Sequence, residues 1–377
     1  MRFAFSDEQQ ELRRGLRRFL EDRSPASEVR RLMATDTGYD PVVWLQMARE
    51  LGLQGLGVPR EHGGSGLGPV EQLVVLEEMG RALLCAPYFS TAVLAVQALR
   101  ASGDEAAQQE WFPGICDGST IATLAVPEDD GAWATDRMQT RARRLQDGYV
   151  LEGRKSFVLD GAVADRVLVV AQADGGPSLF AVDGRDPRLS RRPLQTIDMT
   201  RKQAALVFDG VPARLVGEEG AAARIVDRTL ELALVALAAE QVGGAQRCLE
   251  MSVDYAKLRF QFGRAIGSFQ AIKHKCADLL LEVESAKSAA YYAAWAAADG
   301  SDELPLVASL AKSTCSEAYF HAAAENIQIH GGVGFTWEHD AHLYYRRAKS
   351  SEAMLGSPTH HRELVAARLI DAAVARS

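Results

Sequence analysis

Three alanine-rich stretches, Thr229 to Phe260, Ser268 to Ala298 and Leu304 to His330, each carry helical periodicity for more than twenty residues. Helices of that length have few ways to hide an apolar face. They pack side by side, near antiparallel, and their alanines permit close approach. The C-terminal third therefore reads as a helical bundle. The first third, from Ser6 to about Gly118, is helical as well. Ser6 can cap a helix running through Leu20, with Glu8 or Gln9 in its first turn, and Leu12, Leu16, Phe19 and Leu20 share one face. A six-glycine loop, GLGVPREHGGSGLG (Gly55 to Gly68), precedes a helix from about Val70 to Leu83.

Between the helical thirds the texture changes. Short runs such as TLAV, YVLEG, RVLVVAQA and AALVFDG are separated by Asp147-Gly148, Asp174-Gly175-Gly176, Asp183-Gly184 and Asp209-Gly210. These signals predict antiparallel strands joined by turns, closing into a small barrel or sandwich. Helices, then sheet, then helices is an α+β order in segregated domains. The boundaries fall at 1–118 for the N-terminal helical domain, 119–220 for the middle β domain and 221–377 for the C-terminal bundle.

Composition removes several function classes. A net charge of -8 argues against a nucleic-acid surface. No apolar run reaches the roughly 18 residues a membrane helix needs, so no membrane insertion is expected. The opening MRFAFSDEQQELRR lacks a secretory h-region. Five scattered cysteines without a CxxC pair read as reduced, packed thiols of a cytoplasmic protein, with no metal site.

Two segments of the last third carry chemistry. YAKLRFQFGRAIGSFQAIKHKCADL (Tyr255 to Leu279) is basic and aromatic, and breaks at Gly263 and Gly267. ENIQIHGGVGFTWEHDAHLYYRRAKSSE (Glu325 to Glu352) closes a helix on Gly331-Gly332. Glycines there let backbone come close to an anion, although a lone GGxG is ordinarily a helix stop and a turn. Together the segments resemble the RxQFG and QxxGGxG signatures of the acyl-CoA dehydrogenase family. LGLQGLGVPREHGGSG (Leu51 to Gly66) and DGYVLEGRKSFVLDGAVAD (Asp147 to Asp165) are similar to two further family segments, so the resemblance covers almost the whole chain.

The resemblance implies a helical domain, a β domain and a C-terminal four-helix bundle. It implies FAD held between the last two and completed by a neighbouring subunit. Arg259 would face the FAD pyrophosphate of the neighbouring subunit, because guanidinium matches phosphate geometry. Gln261 and Phe262 would lie at the adenosine end, with Gln328, Gly331 and Gly332 on the same dinucleotide. Phe157 stands where the family has the tryptophan that flanks the flavin. The implied activity is α,β-desaturation of an acyl-CoA thioester, in fatty acid or steroid metabolism.

The chain departs from the family where the reaction needs a base. Ten positions into RRAKSSEAML, where most members have glutamate, stands Leu355. Its backbone N–H survives, and in the family that N–H polarises the thioester carbonyl. The alternative base position, 26 residues before Arg259, is Ala233. Glu231 lies about 200° round the helix from it, while Glu240 shares its face about 10 Å further along. Glu240 is the remaining candidate base, and if buried it needs a partner or a raised pKa. Val126 replaces the threonine that contacts the flavin ring, and GSPTHH (Gly356 to His361) replaces a flavin-contacting segment. His360 and His361 face either substrate or solvent. Two readings stay open, with a flavoprotein of other chemistry a weaker third. One is a working homo-oligomeric dehydrogenase with a relocated base. The other is a catalytically silent subunit, paired in a heterotetramer with a homologous dehydrogenase.

Overall fold

Ser6 starts the first helix with a reciprocal cap. Its hydroxyl accepts from the Gln9 amide at 3.2 Å, and the Gln9 side chain accepts from the Ser6 amide at 2.9 Å. The helices before the sheet are α1 (Asp7–Arg23), α2 (Ala26–Met33), α3 (Pro41–Arg49), α4 (Pro69–Arg81), α5 (Val96–Ser102) and α6 (Glu105–Cys116). The structure is a computed structural model that describes residues 4–374. Residues 1–3 and 375–377, which the sequence assigns to the first and last domains, lie outside it.

Seven strands follow: β1 (Ala122–Ala125), β2 (Arg141–Leu145), β3 (Gly148–Leu159), β4 (Arg166–Ala173), β5 (Gly176–Asp183), β6 (Leu189–Pro193) and β7 (Gln203–Val216). The pairings β4–β2–β3–β7–β5 return to β4 and close a small barrel, while β6 adds to β7. Most pairings are antiparallel, as the turn signals require. β1 and β2 nevertheless lie parallel to β4. Asp209-Gly210 is not a turn. β7 runs straight through it, with Glu152 opposite Asp209 and Leu151 opposite Val211, so Gly210 is the extra residue of a bulge with φ +67°.

The C-terminal helices are α7 (Ala222–Leu258), α8 (Gln270–Ala298), α9 (Leu304–His330), α10 (Ala341–Ala353) and α11 (Pro358–Val374). Between α7 and α8 lies a hairpin of β8 (Phe260–Gln261) and β9 (Arg264–Ala265). α8, α10 and α11 all pack on α9. Among the described residues these five helices make up the expected C-terminal helical domain.

Compactness divides the chain differently from sequence order. One unit joins residues 1–29 and 69–84 to everything from Leu234 onward; the other holds residues 30–68 and 85–233. In the first unit, α1 and α4 belong with the C-terminal helices because charge as well as apolar packing ties them there. Arg17 forks onto Glu78 at 2.7 and 2.8 Å, Arg13 meets Glu77 at 2.8 Å, and Arg81 pairs with Glu250 of α7. Tyr291 of α8 donates to Glu77 at 2.9 Å.

α4 and α7 touch backbone to backbone. A Cβ on Gly243 would sit 1.8 Å from the Glu77 carbonyl oxygen, and one on Gly80 would sit 2.0 Å from that of Glu240. Neither carbonyl can swing aside. Gly243→Ala should therefore force the helices apart and cost about 1–3 kcal/mol. Gly15→Ala, in a helix interior with nothing within 4 Å, should be neutral or stabilising by up to about 1 kcal/mol. Urea unfolding midpoints of the two variants check the contrast.

Candidate functional site

α7 ends with the Arg259 amide donating to the Tyr255 carbonyl at 2.8 Å. The chain then turns sharply through Phe262 (φ +54°) and Gly263 (φ +80°), which join β8 to β9. Two successive left-handed residues suit a two-residue hairpin, but at Phe262 that conformation costs about 1 kcal/mol. The strained tip is not buried. Phe262 is 91% exposed and Phe260 64%. The Arg259 guanidinium and the Gln261 amide are exposed and hydrogen-bond to no described residue.

The second signature lies beside the first. Tyr255, one turn before Arg259, stacks on His330, the last residue of α9, at 4.2 Å between ring centroids. His339 approaches the same imidazole at 4.4 Å. Ser252 of α7 donates to the Asn326 side chain at 3.1 Å, and His330 Nδ1 sits 2.8 Å from the Asn326 carbonyl. Burial pushes the His330 pKa down, so its ring is neutral at neutral pH. Gln328, Gly331 and Gly332 are exposed. The Gly331 N–H is spent on the carbonyls of Gln328 and Ile327, which close the helix. Gly331 needs its glycine for φ +64°. Gly332 does not: its φ is outside the left-handed region, and a Cβ there would meet nothing within 4 Å. Nothing in the chain's own packing asks for glycine at 332.

Leu355 sits in a buried turn after α10 with φ +60°. Its N–H donates to no described residue, while its carbonyl accepts from His361 Nε2 at 2.9 Å. Under the turn, the buried Lys312 ammonium donates to the Glu352 carbonyl at 3.1 Å and to Ser316 at 2.8 Å. His361 is itself buried, so it faces neither solvent nor an open site, whereas His360 is exposed.

No carboxylate stands free at either base position. Ala233 is buried, and Glu231 pairs with Arg228 at 2.9 Å on the surface of α7. Glu240, the candidate base of the sequence reading, is 6% exposed and holds the buried Arg347 guanidinium at 2.7 Å. It therefore has the partner that burial demands. Its geometry is that of a counter-ion to Arg347. Nothing in the local pattern of Arg346-Arg347 marks which arginine turns inward. Nor did the sequence single out Tyr255, His330 or His339, whose only signal was aromatic spacing at two helix ends.

In the other unit, Phe157 is 45% exposed with φ +57°, against Gly131. Beside it, the fully buried Lys155 donates to the Val126 carbonyl and to Glu128, both at 3.0 Å. Burial pushes the Lys155 ammonium down to about 8. Burial also works against the Glu128 carboxylate, but the Thr140 and Gln139 amides, the Thr140 hydroxyl and Lys155 outweigh it and hold it down to about 2. Val126 thus contributes its carbonyl to a loop-closing network.

Family profiles cover nearly the whole chain. The acyl-CoA dehydrogenase N-terminal domain matches residues 6–119, the middle domain 123–211 and the C-terminal domain 222–370. The Mycobacterium tuberculosis acyl-CoA dehydrogenase IpdE2 is 35% identical over 93% of this chain and 94% of its own length. Among solved structures, the ChsE4-ChsE5 complex from Mycobacterium tuberculosis aligns with a TM-score of 0.89 at 29% identity, over 98% of this chain and 99% of the matched one. A variant of the Tcur3481-Tcur3483 steroid ACAD aligns at 0.88 and 31% identity, with the same coverage. No helix among the described residues is long and apolar enough to cross a membrane.

Burial pushes His361 down to about 4; its bond to Leu355 opposes the shift and nearby Lys312 adds to it. The unfolded chain takes up this proton near its ordinary value of 6.5, the folded chain only near 4. Stability from a neutral His361 is therefore complete above about pH 6.5 and lost as pH falls towards 4. Urea titrations of wild type and His361→Gln between pH 7 and 4 should diverge in this window, the variant curve being flatter.

Proposed function

We propose, from the premise that this chain belongs to the acyl-CoA dehydrogenase family, that it is one subunit of a heteromeric, FAD-dependent enzyme desaturating an acyl-CoA thioester between its α and β carbons. A homologous partner chain supplies the carboxylate base. The observation that carries this reading is the missing base: Leu355 and Ala233 occupy the two base positions, and Glu240 is committed to Arg347. Likeness to a chain of the ChsE4-ChsE5 complex supports a partner of the same family. Likeness to a steroid ACAD supports a bulky acyl group. We take the domains as 1–118, 119–220 and 221–377. Five scattered cysteines that form no disulfide among the described residues support a cytoplasmic location.

The residues present fit a dinucleotide. Arg259 offers an uncommitted guanidinium fork for a pyrophosphate. Phe262 offers an aromatic face and Gln261 an amide for the adenosine end. Gly332 leaves open space where any side chain would stand in the ligand's way, with Gln328 and Gly331 beside it. Phe157, in the other unit, is the residue that the resemblance puts at the flavin-flanking position, and its ring is 45% exposed. When bound, FAD supplies the two-electron acceptor for the hydride that leaves the β carbon. This chain's own part is to bind and orient. The unengaged Leu355 N–H is the one group at its base position still able to stabilise negative charge on a thioester oxygen.

The chain purified alone should not bleach a flavin with any acyl-CoA. Copurified with a paralogue carrying glutamate at the position of Leu355, it should. Bleaching by the lone chain would overturn the heteromer. Arg259→Ala in the assembly should weaken FAD binding roughly tenfold or more, as expected for a charge-assisted contact worth about 1.5–3 kcal/mol, read by equilibrium dialysis.

A further inference from the structure

The two cofactor segments lie about seventy residues apart in sequence, on different helices, yet both must meet one ligand. What joins them is a short ladder between the last turns of α7 and α9. Its first rung is the Ser252–Asn326 hydrogen bond at 3.1 Å. Its second is the Tyr255–His330 stack, at 4.2 Å with the rings 29° from parallel. His330 is 6% exposed, so its side of the stack is buried, while Tyr255 is half-buried. The residue also reaches forward. His339 lies against its ring at 4.4 Å, and the 3₁₀ turn Gly331–Phe335 curls back so tightly that a Cβ on Gly334 would lie 2.8 Å from the His330 Cβ. The loop that carries Gly331 and Gly332 is thus wrapped around one imidazole, and that imidazole rests on the helix that delivers Arg259.

We infer that His330 is a positioning residue: through its contacts with Tyr255 and His339 it holds the Gly331-Gly332 loop in register with the Arg259 hairpin, so that both present to a single dinucleotide. This rests on the proposal that these segments bind FAD, and it adds the residue that makes them one site. The ring is the working part. Its Nδ1 hydrogen bond to the Asn326 carbonyl only orients it. A residue of this kind touches no ligand and is invisible to any search for phosphate-binding side chains.

The test uses the full chain in its assembly, in three forms: wild type, His330→Ala and His330→Phe. Amide hydrogen exchange is followed over residues 331–336, and the FAD dissociation constant is measured by recovery of flavin fluorescence. His330→Ala should speed exchange of the loop amides and weaken FAD binding, each by about tenfold, the equivalent of one or two lost aromatic contacts. His330→Phe, which keeps a ring, should restore both to within about twofold of wild type. Unchanged exchange and affinity in the alanine variant would overturn the inference. So would a phenylalanine variant as damaged as the alanine one, since the ring would then not be the agent. Should His330→Ala fail to fold, His339→Ala removes the outer ring from a partly exposed position. It should speed loop exchange in the same direction, and no change there would also overturn the inference. If the wild-type assembly binds no FAD, the proposed cofactor role falls, while the exchange measurements still judge His330.

Discussion

The buried pair of Arg347 and Glu240 is the interaction around which the C-terminal helices are arranged. Two charges removed from water need each other and every available hydrogen bond, and losing either partner leaves the other at a cost of several kcal/mol. Arg347 therefore fixes α10 to α7, and its guanidinium also reaches the Leu84 carbonyl just beyond α4. Tyr344, one turn earlier on α10, donates to the Arg81 carbonyl at 2.7 Å. The glycine contacts of α4 with α7 bring those carbonyls within reach. The same pair engages Glu240 as a counter-ion to Arg347.

Backbone strain is concentrated where cofactor and substrate contacts are expected. Five non-glycine residues adopt positive φ: Leu83, Phe157, Asp160, Phe262 and Leu355. Three of them are Phe157, Phe262 at the hairpin tip and Leu355 in the turn after α10. Such conformations persist only where surrounding structure over-determines them. At Leu355 the turn is held from beneath by His361, which donates to the Leu355 carbonyl, and by Lys312, which donates to the Glu352 carbonyl.

Much of the fold was legible because local rules agreed with tertiary packing. Ser6 and Gln9 form the expected cap, and the long alanine-rich periods become α7, α8 and α9, with α8 and α9 within two residues of their predicted ends and α7 beginning seven residues earlier, at Ala222. Asp147-Gly148 and Asp174-Gly175-Gly176 turn the chain as their φ requirements dictate. Asp209-Gly210 reads identically but becomes a bulge, since a left-handed glycine serves either purpose and strand pairing chooses. The parallel placement of β1 on β4 depends on partners distant in sequence, beyond any local signal. The π-helical turn Phe89–Ala95 is also silent in sequence: an extra residue per turn leaves no compositional mark. At the candidate site, residue types that name a chemistry, such as Arg259 and Gly331-Gly332, were visible. Residues that act by packing, such as His330 and Arg347, were not.

The hairpin tip has a consequence outside catalysis. Phe260 and Phe262 leave a protruding aromatic surface that a lone copy of the chain must display to everything around it. Exposed apolar patches of this sort promote association with whatever is near. Left uncovered, these two rings would make the chain prone to adhere to whatever apolar surface is near it.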